Sequence, residues 1–293
     1  MKPEFERLHP FACLYFYGSY LLFSMLFLHP LFLLTSFVGV ITITILHGAA
    51  QQLKSYLPFY LFMGGMIAIL NPLFNHRGVH ILFYMGDQPI TLEAVLFGLI
   101  MMFSLWCIFL IFLSFNVVLS PGRFLYVFSR LFQKGALLIM LAIRFVPLLK
   151  RRLDQLMIVQ KTRGVNPLKG SLSKRVKDAM TILQVLVSWS LEEAFQTAES
   201  MTARGFGASP QRSSYVRYRW DRENRSILLL LILTSIGCLI GWSKGVGTFV
   251  VYPTMQIPNW TPESWIYYFC YLFFILTPVL IEGRAKLTWR SLK

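Results

Sequence analysis

Apolar residues run through this chain in long blocks, without the strict alternation that marks half-buried strands. Six blocks are read as membrane-spanning helices, at roughly 11–28, 31–47, 57–72, 92–119, 227–242 and 265–281. A helix rises about 1.5 Å per residue and needs about 20 apolar residues, at the least about 17, to cross a bilayer. Several of the blocks lie near that short limit. The first two are separated only by His29-Pro30, which predicts a tight helical hairpin with proline stopping the first helix. Between the third and fourth blocks a β-rich run, His80 to Tyr84, is followed by Met85-Gly86-Asp87-Gln88, and a short hairpin is expected there. The loop after the fifth block carries Tyr252-Pro253 and Ile257-Pro258 and reads as irregular.

Between the fourth and fifth blocks lie about 100 residues patterned as helices. Arg123, Arg130, Lys134 and Arg144 fall near one face of the stretch 123–146, which suits a basic amphipathic helix on a membrane surface. A seventh span would place Arg130 and Lys134 near the bilayer centre, at about 2.5–3.5 kcal/mol each. Pro147 is expected to open a second helix through Lys150-Arg151-Arg152 to Arg163, stopped by Gly164 and Asn166-Pro167. A third should start near Ser171 or Ser173, either of which can cap it, and run about 30 residues to Arg204 and Gly205. The expectation is an all-α, polytopic membrane protein of about six spans plus long amphipathic helices. Its parts are a four-span segment 1–119, a coupling-helix region 120–225 and a two-span segment 226–293.

Charge gives the direction. Of 28 Lys and Arg, 19 lie in residues 122–226, beside 7 of the 13 acidic residues. Positive charge collects on the cytoplasmic side, so this segment and both termini are expected on the cytoplasmic side of a cell membrane that the chain crosses several times. That threading leaves only Arg77 and Lys244 outside. Hydrophobic residues make up 56% and charged residues 14% of the 293, and the formal net charge is +15. The four cysteines, Cys13, Cys107, Cys238 and Cys270, sit in four different apolar blocks and read as buried helix residues, not as disulfides or metal ligands. The first block lacks a cleavage site and reads as a span, not a signal peptide.

Two helix ends stand out: Gln160-Lys-Thr162-Arg163-Gly164 and Met201-Thr-Ala203-Arg204-Gly205. Arginine near a helix C-terminus followed by glycine is ordinary capping. Here it occurs twice, 41 residues apart. The third helix also carries Leu183, Val185, Leu186, Val187, Trp189, Leu191 and Phe195, apolar residues that need a membrane domain or a partner protein to cover them.

The longer string Glu199-Ser-Met-Thr-Ala-Arg204-Gly205-Phe206-Gly207, with Asn71-Pro72-Leu73-Phe74-Asn75-His76-Arg77-Gly78 and the order of spans, resembles the transmembrane T-component of energy-coupling factor transporters. The first motif departs by reading Thr-Arg-Gly for Ala-Arg-Gly, with arginine and glycine intact. The resemblance implies an importer of a vitamin or metal ion. Its partners are two ABC-type ATPases, which bind the ATP, and a small substrate-binding membrane protein, the S-component. It implies that Arg163 and Arg204 are the docking arginines of ATPase-docking tips that also include Gln160, Thr162, Gly164, Ala203 and Gly205, with the two glycines shaping the tips, and that the chain holds no cofactor.

Other signals carry less. No GxxxxGK[ST] phosphate loop occurs, so the chain is not expected to hydrolyse ATP itself. His76 and His80 are four apart, but Arg77-Gly78 between them argues against a metal-binding helix. Glu93 reads as a helix-start carboxylate, Glu192-Glu193 as a solvated or salt-bridged face, and Gly64-Gly65 as a site of close helix packing. Arg212 to Arg225, with Tyr215, Tyr218 and Trp220, has a nucleic-acid-like composition. Its place before a span favours anionic lipid headgroups instead. A self-contained secondary transporter would need ionisable residues at midplane depth, and an intramembrane enzyme a nucleophile–base pair. The spans show almost none of the first and no evident case of the second.

Overall fold

The computed structural model describes residues 4–75, 78–85, 88–129, 132–168, 170–208, 218, 220–252 and 261–291. Nine α-helices and one hairpin are present among them. They are α1 Pro10–Leu26, α2 Pro30–Leu46, α3 Ala50–Phe74, β1 Ile81–Met85, β2 Gln88–Thr91, α4 Leu92–Val118, α5 Pro121–Ser129, α6 Gln133–Thr162, α7 Leu172–Ala203, α8 Arg222–Ser243 and α9 Pro262–Ser291. The chain divides into two compact units. A membrane unit comprises residues 1–124 and 218–293, and an inserted unit comprises residues 125–217.

The protein is an all-α membrane protein. In α3, α4, α8 and α9 the apolar stretch is long enough to cross a bilayer, and α1 and α2 are apolar helices of 17 residues. At about 1.5 Å per residue those two reach about 25 Å, a little under the hydrocarbon thickness. Both start in the same way. His9 and His29 precede Pro10 and Pro30, and each imidazole Nδ1 accepts the backbone N–H of the residue after the proline, at 3.3 and 3.2 Å. Proline at the first helical position loses nothing, since its N–H would be unpaired there. Pro30 therefore begins α2, while α1 has already ended at Leu26.

An aromatic column forms the centre of the membrane unit. Phe16, Tyr20, Phe23 and Phe27 of α1 and its C-cap meet Phe32 of α2 and Tyr271 and Phe274 of α9. Hydroxyls in this apolar setting find partners on other helices. Tyr20 Oη donates to the Ser36 carbonyl at 3.1 Å, Ser104 Oγ to the Ser24 carbonyl at 2.9 Å, and Tyr15 bonds Ser235. Glycine lets helices approach where no side chain fits. A Cβ on Gly39 would strike Ile275, one on Gly241 would press on Tyr267, and one on Gly64 would strike Trp106. Of the Gly64-Gly65 pair only Gly64 is at a contact, because Gly65 faces open space.

Three expectations are corrected. The stretch 123–146 is not one helix: α5 ends at Ser129 and α6 starts at Gln133, and Arg130 lies outside the described residues. Arg123 is not on a polar surface but buried, 4% exposed, because backbone carbonyls solvate its guanidinium. Pro147 does not open a helix; it lies inside α6. Proline's fixed φ is itself helical, so the cost is one lost N–H bond and crowding at the preceding turn, which a 30-residue helix absorbs. Likewise α3 continues past Pro58 and Pro72. Ser171 is the N-cap of α7, although its side chain makes no capping bond.

The two adjacent glycines set up a matched comparison. Gly64→Val should cost about 1–3 kcal/mol through displacement of Trp106, whereas Gly65→Val should change stability by less than about 0.5 kcal/mol. Thermal unfolding of the two variants in the same detergent checks this.

Candidate functional site

The two arginine–glycine helix ends have the same backbone. Arg163 and Arg204 are the C-caps of α6 and α7, and the glycines that follow have φ of +80° and +82°. At the first end the Gly164 N–H bonds the Lys161 carbonyl at 3.1 Å and the Val165 N–H bonds the Gln160 carbonyl at 3.0 Å. At the second the Gly205 N–H bonds the Thr202 carbonyl at 2.9 Å and the Phe206 N–H bonds the Met201 carbonyl at 2.9 Å. This paired closure satisfies carbonyls that a helix end leaves open, and it requires the left-handed geometry that glycine adopts without a Cβ penalty. Each arginine is thereby held on a stiff helix at the turn.

Both arginines are exposed. Among the described residues neither guanidinium has a hydrogen-bonding or ionic partner within the chain. Gln160, Thr162 and Ala203 belong to the last helical turns; the Thr162 hydroxyl donates to the Val159 carbonyl at 2.6 Å. Its bond is intrahelical, so Thr162 tightens the end without shielding Arg163.

The inserted unit does not bring the two ends together. After the α6 tip the chain turns back. The Asn166 N–H bonds Asp178 of α7 at 2.9 Å, and Arg175 Nε donates to the Pro167 carbonyl at 3.0 Å. Further along, the Arg152 guanidinium lies 4.8 Å from the centroid of the Trp189 ring. The α6 tip therefore sits beside the first turns of α7. The 26 residues from Asp178 to Arg204 span roughly 39 Å of helix, so the second tip lies far along the same rod. Between them Leu172, Val176, Met180, Leu183, Val187, Leu191 and Phe195 remain exposed, the last at 71%. Glu192 is exposed and Glu193 half-buried on this rod.

Within the membrane unit, folding assembles two polar clusters that sequence reading missed. Glu93, fully buried, does not serve α4 as a simple helix-start charge. Thr91 caps α4, while the Glu93 carboxylate accepts the backbone N–H groups of Val79 and His80 and the His80 imidazole Nδ1 at 2.7 Å, tying down the base of the hairpin. His80 is thus engaged, and His76 lies outside the described residues. The other cluster is His47 with Ser114, at 2.7 Å, and Tyr17 with Ser114, at 3.0 Å. It is a hydroxyl–imidazole pair from distant parts of the chain. Both members are buried, His47 under the stacked ring of Phe5, so it serves packing, not chemistry on a substrate. Residues 212–217 and 219 of the basic stretch lie outside the described residues, as do Gly86-Asp87 of the hairpin turn and residues 253–260.

Residues 4–215 match the family model described as CbiQ, cobalt transport protein. The chain belongs to the CbiQ family. Both arginine–glycine tips fall inside the matched segment. A Staphylococcus aureus protein named energy-coupling factor transporter transmembrane protein EcfT is 25% identical over 194 residues, 63% of this chain and 72% of that protein. Proteins of the same name from Leuconostoc gelidum and Bacillus selenitireducens are 28% identical over 194 residues and 33% identical over 98 residues. The first covers 72% of that relative and the second 37%. This CbiQ-family chain is similar to membrane subunits of transporters, and it carries no ATP-binding phosphate loop of its own.

The shared backbone of the tips can be probed directly. Gly205→Ala forces a Cβ into left-handed geometry, which costs about 1–2 kcal/mol. Hydrogen exchange at the Phe206 amide should then quicken by roughly tenfold, since about 1.4 kcal/mol is tenfold, with Gly164→Ala acting likewise on Val165.

Proposed function

We propose that the chain is the transmembrane coupling component of an energy-coupling factor importer. In this reading two ABC-type ATPases engage Arg163 and Arg204, one tip each. A separate S-component membrane protein captures the cargo, a vitamin or a metal ion. The observation that carries the reading is the pair of equivalent, unpartnered arginine tips at well-separated places on one rigid helical rod. Guanidinium stays charged at any working pH and bonds a carboxylate through two parallel N–H donors. A hydrogen bond to a charged group contributes about 1.5–3 kcal/mol. Two such ties on stiff helices transmit a displacement that flexible loops would absorb. Family membership and the EcfT names of the relatives support the reading. The exposed apolar face of α7 supplies the surface on which the substrate-binding protein or the bilayer would rest. With the basic segment inside, both termini face the cytoplasm.

Co-expression of the tagged chain with the ATPase genes of its own operon tests this. Wild type should retain both ATPases through purification. Arg163→Glu or Arg204→Glu alone should weaken retention by about 10–150-fold, the equivalent of one lost charged bond, and the double variant should abolish it. A wild-type chain that never retains an ATPase, or a double variant that retains it fully, defeats the docking assignment. Uptake by the chain alone in proteoliposomes would point to a self-contained secondary transporter.

A further inference from the structure

The chain leaves the membrane unit after Phe124 and comes back at Tyr218. These two crossings, 94 residues apart in sequence, are adjacent in the fold. Arg123, in the first turn of α5, is 4% exposed and has no carboxylate partner among the described residues. One of its terminal nitrogens donates to the carbonyl of Val118, the last residue of α4, at 3.0 Å; the other donates to the carbonyl of Leu8. Its guanidinium lies 6.0 Å from the centroid of the Tyr218 ring. Two residues beyond, Trp220 stacks on His9 at 3.8 Å between centroids with 21° between planes, and His9 meets Tyr218 edge-on at 6.1 Å. The outgoing and the returning strands are thus both fastened to Leu8-His9.

That segment is itself firmly seated. Phe5 is fully buried, stacks on His47 and packs edge-on against Phe16 and Tyr17. Its N–H donates to Glu282 of α9 at 2.9 Å, and its carbonyl accepts from Cys13 Sγ at 3.3 Å. Burying a guanidinium is expensive unless its donors are met, and here Nε has no partner among the described residues. The carbonyl end of α4, which carries partial negative charge, offsets part of that cost. A surface loop would need no such tie to connect two helices.

We infer that Arg123 is a positioning residue that fastens both chain crossings of the inserted unit into one anchorage on the N-terminal segment. The part of this that concerns transport rests on the coupling role proposed above. Displacement imposed at Arg163 and Arg204 then reaches the membrane helices through this anchorage instead of being lost in two loose connections.

Spin labels at Ser120→Cys and Arg222→Cys, both exposed and both within the membrane unit, report on the two crossings. The full chain would carry Cys270→Ser and be reconstituted in lipid nanodiscs for pulsed distance measurement. The wild-type background should give one narrow distribution, Arg123→Gln one at least twice as wide, and Arg123→Lys, which keeps the charge, an intermediate width. Arg123→Gln should still retain the ATPases, because the tips are unaltered. A folded Arg123→Gln chain with wild-type width overturns the inference, and so does loss of ATPase retention in that variant where wild type retains them. Should Arg123→Gln not fold, Tyr218→Leu breaks the ring contact from the returning segment while Arg123 keeps its bonds to the Val118 and Leu8 carbonyls, and its width decides by the same criterion. If even wild type binds no ATPase, the functional reading falls while the label result still stands for the anchorage.

Discussion

A peptide group in hydrocarbon has no water to bond, so each apolar segment of this chain must satisfy its backbone within itself. That constraint makes the six apolar segments helices, and it decides how they pack. Lipid is as apolar as leucine, so helices gain little by hiding leucine from it. What draws them together is close approach at Gly39, Gly64 and Gly241, aromatic rings filling the space between α1, α2 and α9, and hydroxyls that find acceptors on a neighbour. Outside the spans, the buried Glu93 carboxylate ties down the hairpin base by accepting the backbone N–H groups of Val79 and His80.

The inserted unit obeys different rules. Its helices α6 and α7 are long and largely uncovered, tied to each other by a few specific contacts such as Arg152 on Trp189 and Asp178 on the Asn166 amide. A rod of this kind holds its two arginine tips at a fixed separation without needing a core of its own. The glycine-closed ends finish each helix abruptly, with the arginine exposed at the last turn.

The two kinds of structure meet in the chain at residues 118–124 and 218–222. There the N-terminal turn works as a wedge. Phe5 fills the space beside His47, and Leu8 and His9 offer a carbonyl and a ring to the chain on either side. A terminal segment of this size is often loose. Here it is locked by buried contacts to α1, α5 and α9 and to His47 at the end of α2.

By itself the sequence determined the helical class, the places of the apolar blocks, the hairpin near residue 85 and both arginine–glycine helix ends. All of these are local: hydrophobic run length, proline and glycine placement and turn chemistry act within a few residues. It misread Pro147 as a helix start, because a proline's cost is weighed against the whole helix around it. It placed Arg123 on a wet face, because periodicity records polarity and not which carbonyls lie nearby. Only the tertiary structure decided that Gly64 and not Gly65 is a contact, that His47 meets Ser114 across 67 residues, and that the two tips stand apart along α7. Those facts depend on which distant segments the fold brings side by side, and no local pattern of residues encodes that.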